Sequence, residues 1–476
     1  MHKISIMWAN FVRSQHTQTF CFITVLVFFT CLLGLAMHST QNLTLFWPVN
    51  AILISIFLRF PKYNTLAGWL GSISAYILAH LAVGYHPITS SVLTLANLAT
   101  VTSVLGLIYY FRINYKHYDQ GFTFLKVAAV CGTAGLGGAV FAVATIPSLP
   151  DSILPTDQLW SAFGLWWSGE TVNCVILIPL ILTFPKWKII QRKLKNRRVI
   201  RIHLLKIIPL FAIIFSVAAT HLYPGPGTML YPLAALIWAA LTYKLFTISL
   251  LNAMIFLLTL QHHQYYLSQL SNDPTLYNAI SIRIGISMLL LAPLIVCVIS
   301  RNRQRLFKEI LYLANHDSLT HTLNRRYFFE AAENFLNQSS KPPFALLMLD
   351  IDHFKKINDT YGHHVGDHVL QHFAHLVSQN MRKNDLFARI GGEEFIVLLA
   401  DTNELEALDI AERIRYSVSV SPLKMQDQDD IYLTVSIGVT LQQNPSSQSL
   451  KDYMIIADFA LYSAKAHGRN KVMVAA

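Results

Sequence analysis

Long apolar runs fill the first 300 positions of the chain, after which the pattern changes to short runs broken by charged and turn-forming residues. Ten apolar runs of 15–26 residues stand out: 20–37, 43–58, 65–83, 89–111, 122–146, 159–184, 204–220, 229–243, 246–261 and 278–300. About twenty apolar residues in helical form cross a hydrocarbon core. The pattern therefore predicts a polytopic α-helical membrane domain of about ten spans, with 43–58, 229–243 and 246–261 marginal in length.

Loop charge points the same way. Lys3 and Arg13, then Arg59 and Lys62, Arg112 and Lys116, nine basic residues from Lys186 to Lys206, Lys244, and finally Arg301, Arg303, Arg305 and Lys308 fall on alternate loops. The loops between them, near 38–42, 84–88, 147–158, 221–228 and 262–277, hold no Lys or Arg. Basic loops stay cytoplasmic, so both termini are expected in the cytoplasm of a bacterial inner-membrane protein. The first run has no small-residue cleavage site and reads as a retained span rather than a signal peptide. No outer loop exceeds about 16 residues, which excludes a folded ligand-binding domain outside the membrane.

Composition fits this reading. The chain has 476 residues, is 53% hydrophobic and 13% charged, and has a mean hydropathy of +0.42, too apolar for an ordinary soluble protein. Its net charge of +11 conceals a split: residues 1–309 carry 22 basic against 6 acidic residues, and residues 310–476 carry 15 against 20. The basic excess is thus a topology signal and not a nucleic-acid footprint. All five cysteines lie in apolar runs, with no disulfide framework or CxxC metal motif. Glu170 sits mid-run in Leu165-Trp-Trp-Ser-Gly-Glu170-Thr-Val-Asn173, and Arg283 lies near the outer end of the last run. Such intramembrane charges are costly and mark either a function or a structural polar contact. His86, His221, His262 and His263 fall on outer loops without metal-ligand spacing.

Beyond position 300, Leu306, Ile310 and Leu313 form a helical stripe that continues the last apolar run. Helices are predicted at 325–337, 365–380, 404–418 and 450–467, and strands at 344–349, 386–390, 395–400, 432–441 and 471–474. This alternation suits an α+β sheet with helices on one side. The chemistry collects where strands end. The apolar run Phe344–Leu349 delivers Asp350 and Asp352. A two-residue turn at Gly391-Gly392, taking the positive φ that glycine tolerates, would hold Glu393 and Glu394 near one spot. Clustered carboxylates suit a hard cation such as Mg²⁺ that keeps places for phosphate oxygens, the arrangement expected for phosphoryl or nucleotidyl transfer.

These residues carry a resemblance. His316-Asp317-Ser-Leu-Thr320, Asn324-Arg325-Arg326, the Asp350–Asp359 run, Tyr361-Gly362-His363, Gly366-Asp367, Gly391–Phe395, Val435–Val439, Ala457–Tyr462, Ala464-Lys465 and Gly468-Arg469-Asn470 are similar to the GGDEF-type diguanylate cyclase domain over 316–476. The resemblance implies a ferredoxin-like, nucleotide-cyclase palm-like fold that joins two GTP into cyclic di-GMP with loss of two pyrophosphates. It implies Mg²⁺ or Mn²⁺ as cofactor, held by Asp350, Glu393 and the Ile351 carbonyl, with Glu393 or Glu394 helping to deprotonate the attacking 3′-hydroxyl. Asn358 and Asp367 would read guanine with His363 nearby. Lys465 and Arg469, four residues apart on one helix face, would hold phosphates together with Phe354 and Lys355. Arg382 and Asp385 match an RxxD product-inhibition site, with Arg413 as a second arginine. Asp352 is not the principal metal ligand in that pattern. His321-Thr322-Leu323 and His353 depart from it.

More weakly, Phe46-Trp47-Pro48-Val49-Asn50, Trp166–Glu170 and Leu177-Ile-Pro179-Leu180 resemble a membrane-associated sensor domain of the MASE type. The expected organisation is therefore a membrane sensor at 1–300, a signalling helix at 301–315 and a GGDEF domain at 316–476, working as a homodimer in the lipid bilayer. A receptor that only binds GTP or cyclic di-GMP, and a transporter with a regulatory tail, are the rivals. Both tip carboxylates are present, against the first, and Glu170 is the only acidic residue well inside a run, against the second.

Overall fold

The computed structural model describes residues 14–37, 46–149, 159–189, 191, 206–223, 227–270, 276–337, 343–425, 429–442 and 449–475. Lys3, Arg13, the basic stretch 192–201, the side chains of His262 and His263, and most of the loop 339–343 lie outside them. The chain divides into two compact units, Met1–Gln304 and Arg305–Ala476.

The first unit is helical throughout its described residues: α1 (Gln15–Ala36), α2 (Val49–Arg59), α3 (Leu66–Ala82), α4 (Pro87–Tyr110), α5 (Thr123–Thr145), α6 (Leu159–Leu182), α7 (Ile208–Leu222), α8 (Tyr231–Thr242), α9 (Leu245–Leu270) and the start of α10 (Leu276–Asn315). Five of the ten expected spans are helices long and apolar enough to cross a membrane: Gln15–Ala36, Pro87–Tyr110, Thr123–Ser148, Leu159–Leu182 and Ala279–Asn315. Of the other five apolar segments, α2, α3, α7 and α8 are helices of 11–17 residues, and α9 runs for 26. At a rise of about 1.5 Å per residue, α2, α7 and α8 are shorter than a core about 30 Å thick. Prolines bound α2: Pro48 precedes it, and Pro61 opens the turn that follows it.

Helices in this unit approach closely where side chains are small. A Cβ added at Gly71 of α3 would lie 2.8 Å from the Phe20 carbonyl of α1, and Thr24 donates to the Gly71 carbonyl at 3.3 Å. Glu170 is buried and accepts from Asn50 at 2.6 Å. Asn50 also donates to Asn97 at 2.8 Å, as does Trp47, and it accepts from the Tyr76 hydroxyl. One polar hub thus ties α2, α3, α4 and α6. Arg283 donates to the Leu165 carbonyl at 2.6 Å and lies against Gly169. His86 caps α4 by accepting from the Ile88 N–H.

The second unit is an α+β domain around a mixed six-stranded sheet. Its strands are β1 (Leu323–Asn324), β2 (Phe344–Ile351), β3 (Leu386–Arg389), β4 (Glu394–Ala400), β5 (Val435–Gln442) and β6 (Val472–Val474), in the order β1-β3-β4-β2-β5-β6. Its helices are α11 (Arg325–Leu336), α12 (Phe354–Tyr361), α13 (His363–Gln379), α14 (Glu404–Val420) and α15 (Leu450–Ala466). The inner four strands are antiparallel, and the short edge strands β1 and β6 pair parallel to β3 and β5. With α13 and α14 as crossovers, β2–α13–β3–β4–α14–β5 is a split βαβ arrangement of the ferredoxin-like kind.

Helices do not lie on one side only. Every residue of β2 is buried. Ala345, Leu347, Leu349 and Ile351 share a core with Phe373 and Val377 of α13 and Ile410 and Ile414 of α14. Phe344, Leu346 and Met348 share another with Phe328 of α11 and Tyr453 and Leu461 of α15. A strand that is apolar at every position, rather than at alternate ones, needs cover on both faces.

Asn324, Asn403 and Ser449 cap α11, α14 and α15, the last through a capping box with Asp452. Packing of α15 on β5 requires Gly438, where an added Cβ would lie 2.1 Å from the Ala457 carbonyl and 2.2 Å from the Leu461 nitrogen, both backbone atoms. Gly438→Ala should therefore destabilise the domain by about 3 kcal/mol. Thermal unfolding of the full chain in detergent checks this, and an unchanged midpoint would contradict the close packing.

Candidate active site

The order of the central strands sets the site. Asp350, at the end of β2, pairs in register with Glu394 on β4 and Ser436 on β5. The Ile351 N–H points at the Glu393 carbonyl at 3.5 Å, which sets the hairpin tip beside the end of β2. Asp350 is 5% exposed, and its Oδ2 lies 2.8 Å from Lys465 Nζ, near the end of α15. Burial pushes the Asp350 carboxyl above the ordinary carboxylate range; the Lys465 ammonium opposes that and the neighbouring Asp352 adds to it. Glu393, half-buried, is raised as well, first by burial and then by Asp350, with Lys465 again in opposition. Two carboxyls and an ammonium thus share one small volume, while Glu394 keeps its side chain exposed.

Asp352 is as buried as Asp350 but fully used. It accepts from Thr434 Oγ1 (2.8 Å), Ser436 Oγ (2.7 Å) and the Asn470 N–H (3.0 Å). It is a bracket that ties the end of β2 to β5 and to the segment after α15, with its lone pairs engaged.

Three local expectations are corrected. Neither Gly391 nor Gly392 has positive φ. β3 ends at Arg389 and β4 starts at Glu394, so Ile390–Glu393 form a wider loop, closed by Ile390 and Gly391 N–H groups on the Glu394 carbonyl at 3.0 and 3.3 Å. The glycines serve space instead. A Cβ at Gly391 would lie 2.5 Å from Glu394 Oε2, whereas one at Gly392 would meet nothing within 4 Å, leaving the tip open. Second, Lys465 and Arg469 do not share a helix face. α15 ends at Ala466, and Arg469 lies beyond Gly468 in the left-handed region at φ 61°, yet near enough to Asp350 for its charge to oppose the upward shift that burial imposes there. Third, the Phe354 side chain is buried in the core and is not available to a phosphate. It opens α12, a helix with no capping side chain because His353 there is left-handed at φ 58°.

The remaining expected residues group as follows. The Asn358 side chain packs on Gly366, where an added Cβ would lie 1.8 Å from its Oδ1. Lys355, His363 and Asp367 are exposed on α12 and the first turns of α13. Away from them, Asp385 accepts from the Arg382 N–H at 2.6 Å and the Ala400 N–H at 3.3 Å, holding a tight turn before β3. Arg382 pairs with Glu406 at 3.6 Å; Arg413 pairs with Asp409 at 3.3 Å and donates to the Asn380 side chain at 3.0 Å. Both guanidinium groups stand exposed on the same side of α14.

One support was missed. Arg389 donates to the carbonyls of Gly391 (3.1 Å) and Gly392 (2.7 Å), and its Nη1 lies 3.2 Å from Asp317 Oδ1. Asp317 also accepts from the Thr320 N–H and hydroxyl. Burial works to raise its pKa, but the bonds from Thr320 and Arg389 outweigh it and hold the carboxyl below the ordinary range. Arg389 begins the hairpin motif in sequence; its bond to a side chain 72 residues away carries no local signal.

A carboxylate pair at a strand end, with cationic side chains and an open hairpin tip, defines a nucleotidyl-transfer domain on a split βαβ sheet. Residues 314–471 match the family model described as diguanylate cyclase, GGDEF domain. The chain is 29% identical over 459 residues to a probable diguanylate cyclase, DgcF, of Escherichia coli O157:H7, covering 94% of this chain and 92% of that one. It is 32% identical over 315 residues to DgcF of Escherichia coli K12, covering 64% of this chain and 95% of that protein. A solved coiled coil and GGDEF domain of DgcB from Caulobacter crescentus, in complex with c-di-GMP, is 31% identical, covers 37% of this chain and 93% of its own, and has a TM-score of 0.35. This chain belongs to the GGDEF diguanylate cyclase family, whose reaction turns two GTP into cyclic di-GMP and two pyrophosphates.

Arg389→Ala should loosen the tip and lower the rate of cyclic di-GMP formation roughly tenfold, as loss of positioning does. Asp317→Asn should cost less, because the bonds from Arg389 to the glycine carbonyls remain. Asp317 has a depressed folded pKa, so its support for the fold is present above its unfolded pKa and lost as pH falls through the folded value. The difference in stability between wild type and Asp317→Asn should therefore shrink on acidification through that window, as measured by denaturant unfolding.

Proposed function

We propose that Asp350 and Glu393, with the Ile351 carbonyl, hold the divalent cation of the cyclase, Mg²⁺ or Mn²⁺. The observation that carries this reading is the buried Asp350 in register with the hairpin strand, its charge met by Lys465 at 2.8 Å. Among the described residues no three His, Cys or carboxylate side chains form a complete cage. A two-carboxylate set suits a hard cation that completes its shell with water and triphosphate oxygens. The bound cation would neutralise charge developing on the α-phosphate. Lys465 keeps the carboxylate pair compensated and turns to phosphate when substrate arrives, helped by Arg469. The uncapped backbone N–H groups at Phe354 and Lys355 offer a further anion seat at the start of α12.

In the reaction the 3′-oxygen of one GTP bonds to the α-phosphorus of the other, and the bond from that phosphorus to the bridging oxygen breaks as pyrophosphate leaves. The hydroxyl proton passes to Glu393 or Glu394. Asn358 and Asp367 match the donor and acceptor edge of guanine, and His363 lines the same rim. A second round closes the ring, so two domains must face each other. The stripe Leu306, Ile310 and Leu313 on α10 is exposed, ready for a second copy. Arg382, Asp385 and Arg413 form the product-inhibition site, in which guanidinium groups meet phosphate and guanine.

Residues 1–300 act as the MASE-like membrane sensor, 301–315 as the signalling helix and 316–476 as the catalytic domain, placed on the cytoplasmic side of the bacterial inner membrane. The helices long enough to span, and the unbroken run of α10 from Leu276 to Asn315, support that reading. The hub of Asn50, Tyr76, Asn97 and Glu170 sets the packing of the sensor helices, which α10 passes on as dimer geometry.

Asp350→Asn and Glu393→Ala in the full chain should each reduce cyclic di-GMP formation from GTP and Mg²⁺ by at least a hundredfold while leaving the fold intact; product at the wild-type rate would sink the assignment. Arg382→Ala should leave the initial rate unchanged and weaken inhibition by added cyclic di-GMP at least tenfold, read from progress curves with and without product.

A further inference from the structure

Helix α13 carries five histidines in its first thirteen residues, at 363, 364, 368, 372 and 375. Two are committed to other bonds. A ring nitrogen of His372 lies 3.0 Å from the Ser421 carbonyl, and His375 pairs with Gln379 at 2.9 Å. His364 and His368 are different. They stand one turn apart, both exposed, with ring centroids 4.8 Å apart and planes inclined at 55°. Neither is used by the catalytic reading. Two imidazoles at i and i+4 on one helix face form a bidentate seat for a metal ion. Imidazole selects ions of the zinc, nickel and copper kind over Mg²⁺, which prefers oxygen.

The position gives the seat a consequence. At about 100° per residue, Asp367 projects about 60° to one side of His364 and His368 about 40° to the other. The side chain assigned to guanine is thus next to the histidine pair on one exposed arc. No third His, Cys or carboxylate gathers with the pair among the described residues. The ion would keep water in its remaining positions and exchange freely, as suits a sensor rather than a structural site.

We propose that His364 and His368 chelate a transition-metal dication of the Zn²⁺ class, and that its occupancy weakens GTP binding by placing positive charge and bulk beside Asp367. The second half rests on the base-reading role of Asp367; the first half does not.

The test uses the full chain in detergent, free of any histidine tag, with Zn²⁺ as the probe and Mg²⁺ in excess. Equilibrium dialysis without nucleotide should show one Zn²⁺ equivalent in the wild type whose affinity falls at least tenfold in His364→Gln and in His368→Gln alike, because a chelate needs both rings. Without Zn²⁺ both variants should retain wild-type cyclase rates, which also reports that they fold. With Zn²⁺ at the level that fills the seat, KM for GTP should rise several-fold in the wild type and not in the variants. Undiminished Zn²⁺ binding in the double variant overturns the site. Loss of binding in the variants with KM unmoved by Zn²⁺ in the wild type overturns the coupling to substrate. An equal rise in KM in wild type and variants assigns inhibition to displacement of Mg²⁺ and overturns the coupling too.

Discussion

The site depends on a carboxylate carried into a place where water cannot reach it freely. Asp350 stands at the end of a strand buried on both faces, and removing an ionised carboxyl from water is costly unless a partner meets it. Lys465 supplies that partner. The pair explains why α15 must lie so close to β5, why Gly438 cannot carry a side chain, and why Asp352 is spent on three hydrogen bonds that fix the surrounding backbone. Burial and a second carboxyl close by both work against ionisation of Asp350, and the Lys465 ammonium works for it.

The same logic runs through the helical unit on a different scale. Polar groups among apolar helices have few partners, so they find one another. Asn50 joins Asn97, Tyr76 and Glu170, and four helices are tied at one point. Interhelical bonds of this kind contribute about 0.6 kcal/mol each on average, so the hub specifies which helices meet more than it strengthens them.

Much of the catalytic domain was legible in linear order. Phe344–Leu349 is apolar at every position, and the strand it forms is buried as expected; the reading stopped short of the consequence that both faces then need helices. The capping residues Asn324, Asn403 and Ser449 stand where helices begin. Glycine at 391 and 392 marked a tight place, but positive φ is only one reason for glycine, and here lack of room beside Glu394 and open space at the tip are the reasons. Apolar length in the first unit located the helical segments but not their ends, since hydropathy does not register where a proline bounds a helix.

Local pattern determined the elements, the division into an apolar helical part and an α+β part, and the identity of the carboxylates at strand ends, because each depends on near neighbours in the chain. Tertiary structure decided which carboxylate meets Lys465 and which is spent on hydrogen bonds to the backbone and hydroxyls. Asp350 and Asp352 are two residues apart and equally buried, and only the approach of Thr434, Ser436 and Asn470 from more than eighty residues away consumes the second. It also decided that Asp317 braces Arg389 and that Lys465 reaches Asp350. Partners distant in sequence leave no periodic trace; their meeting is set by the order of strands in the sheet.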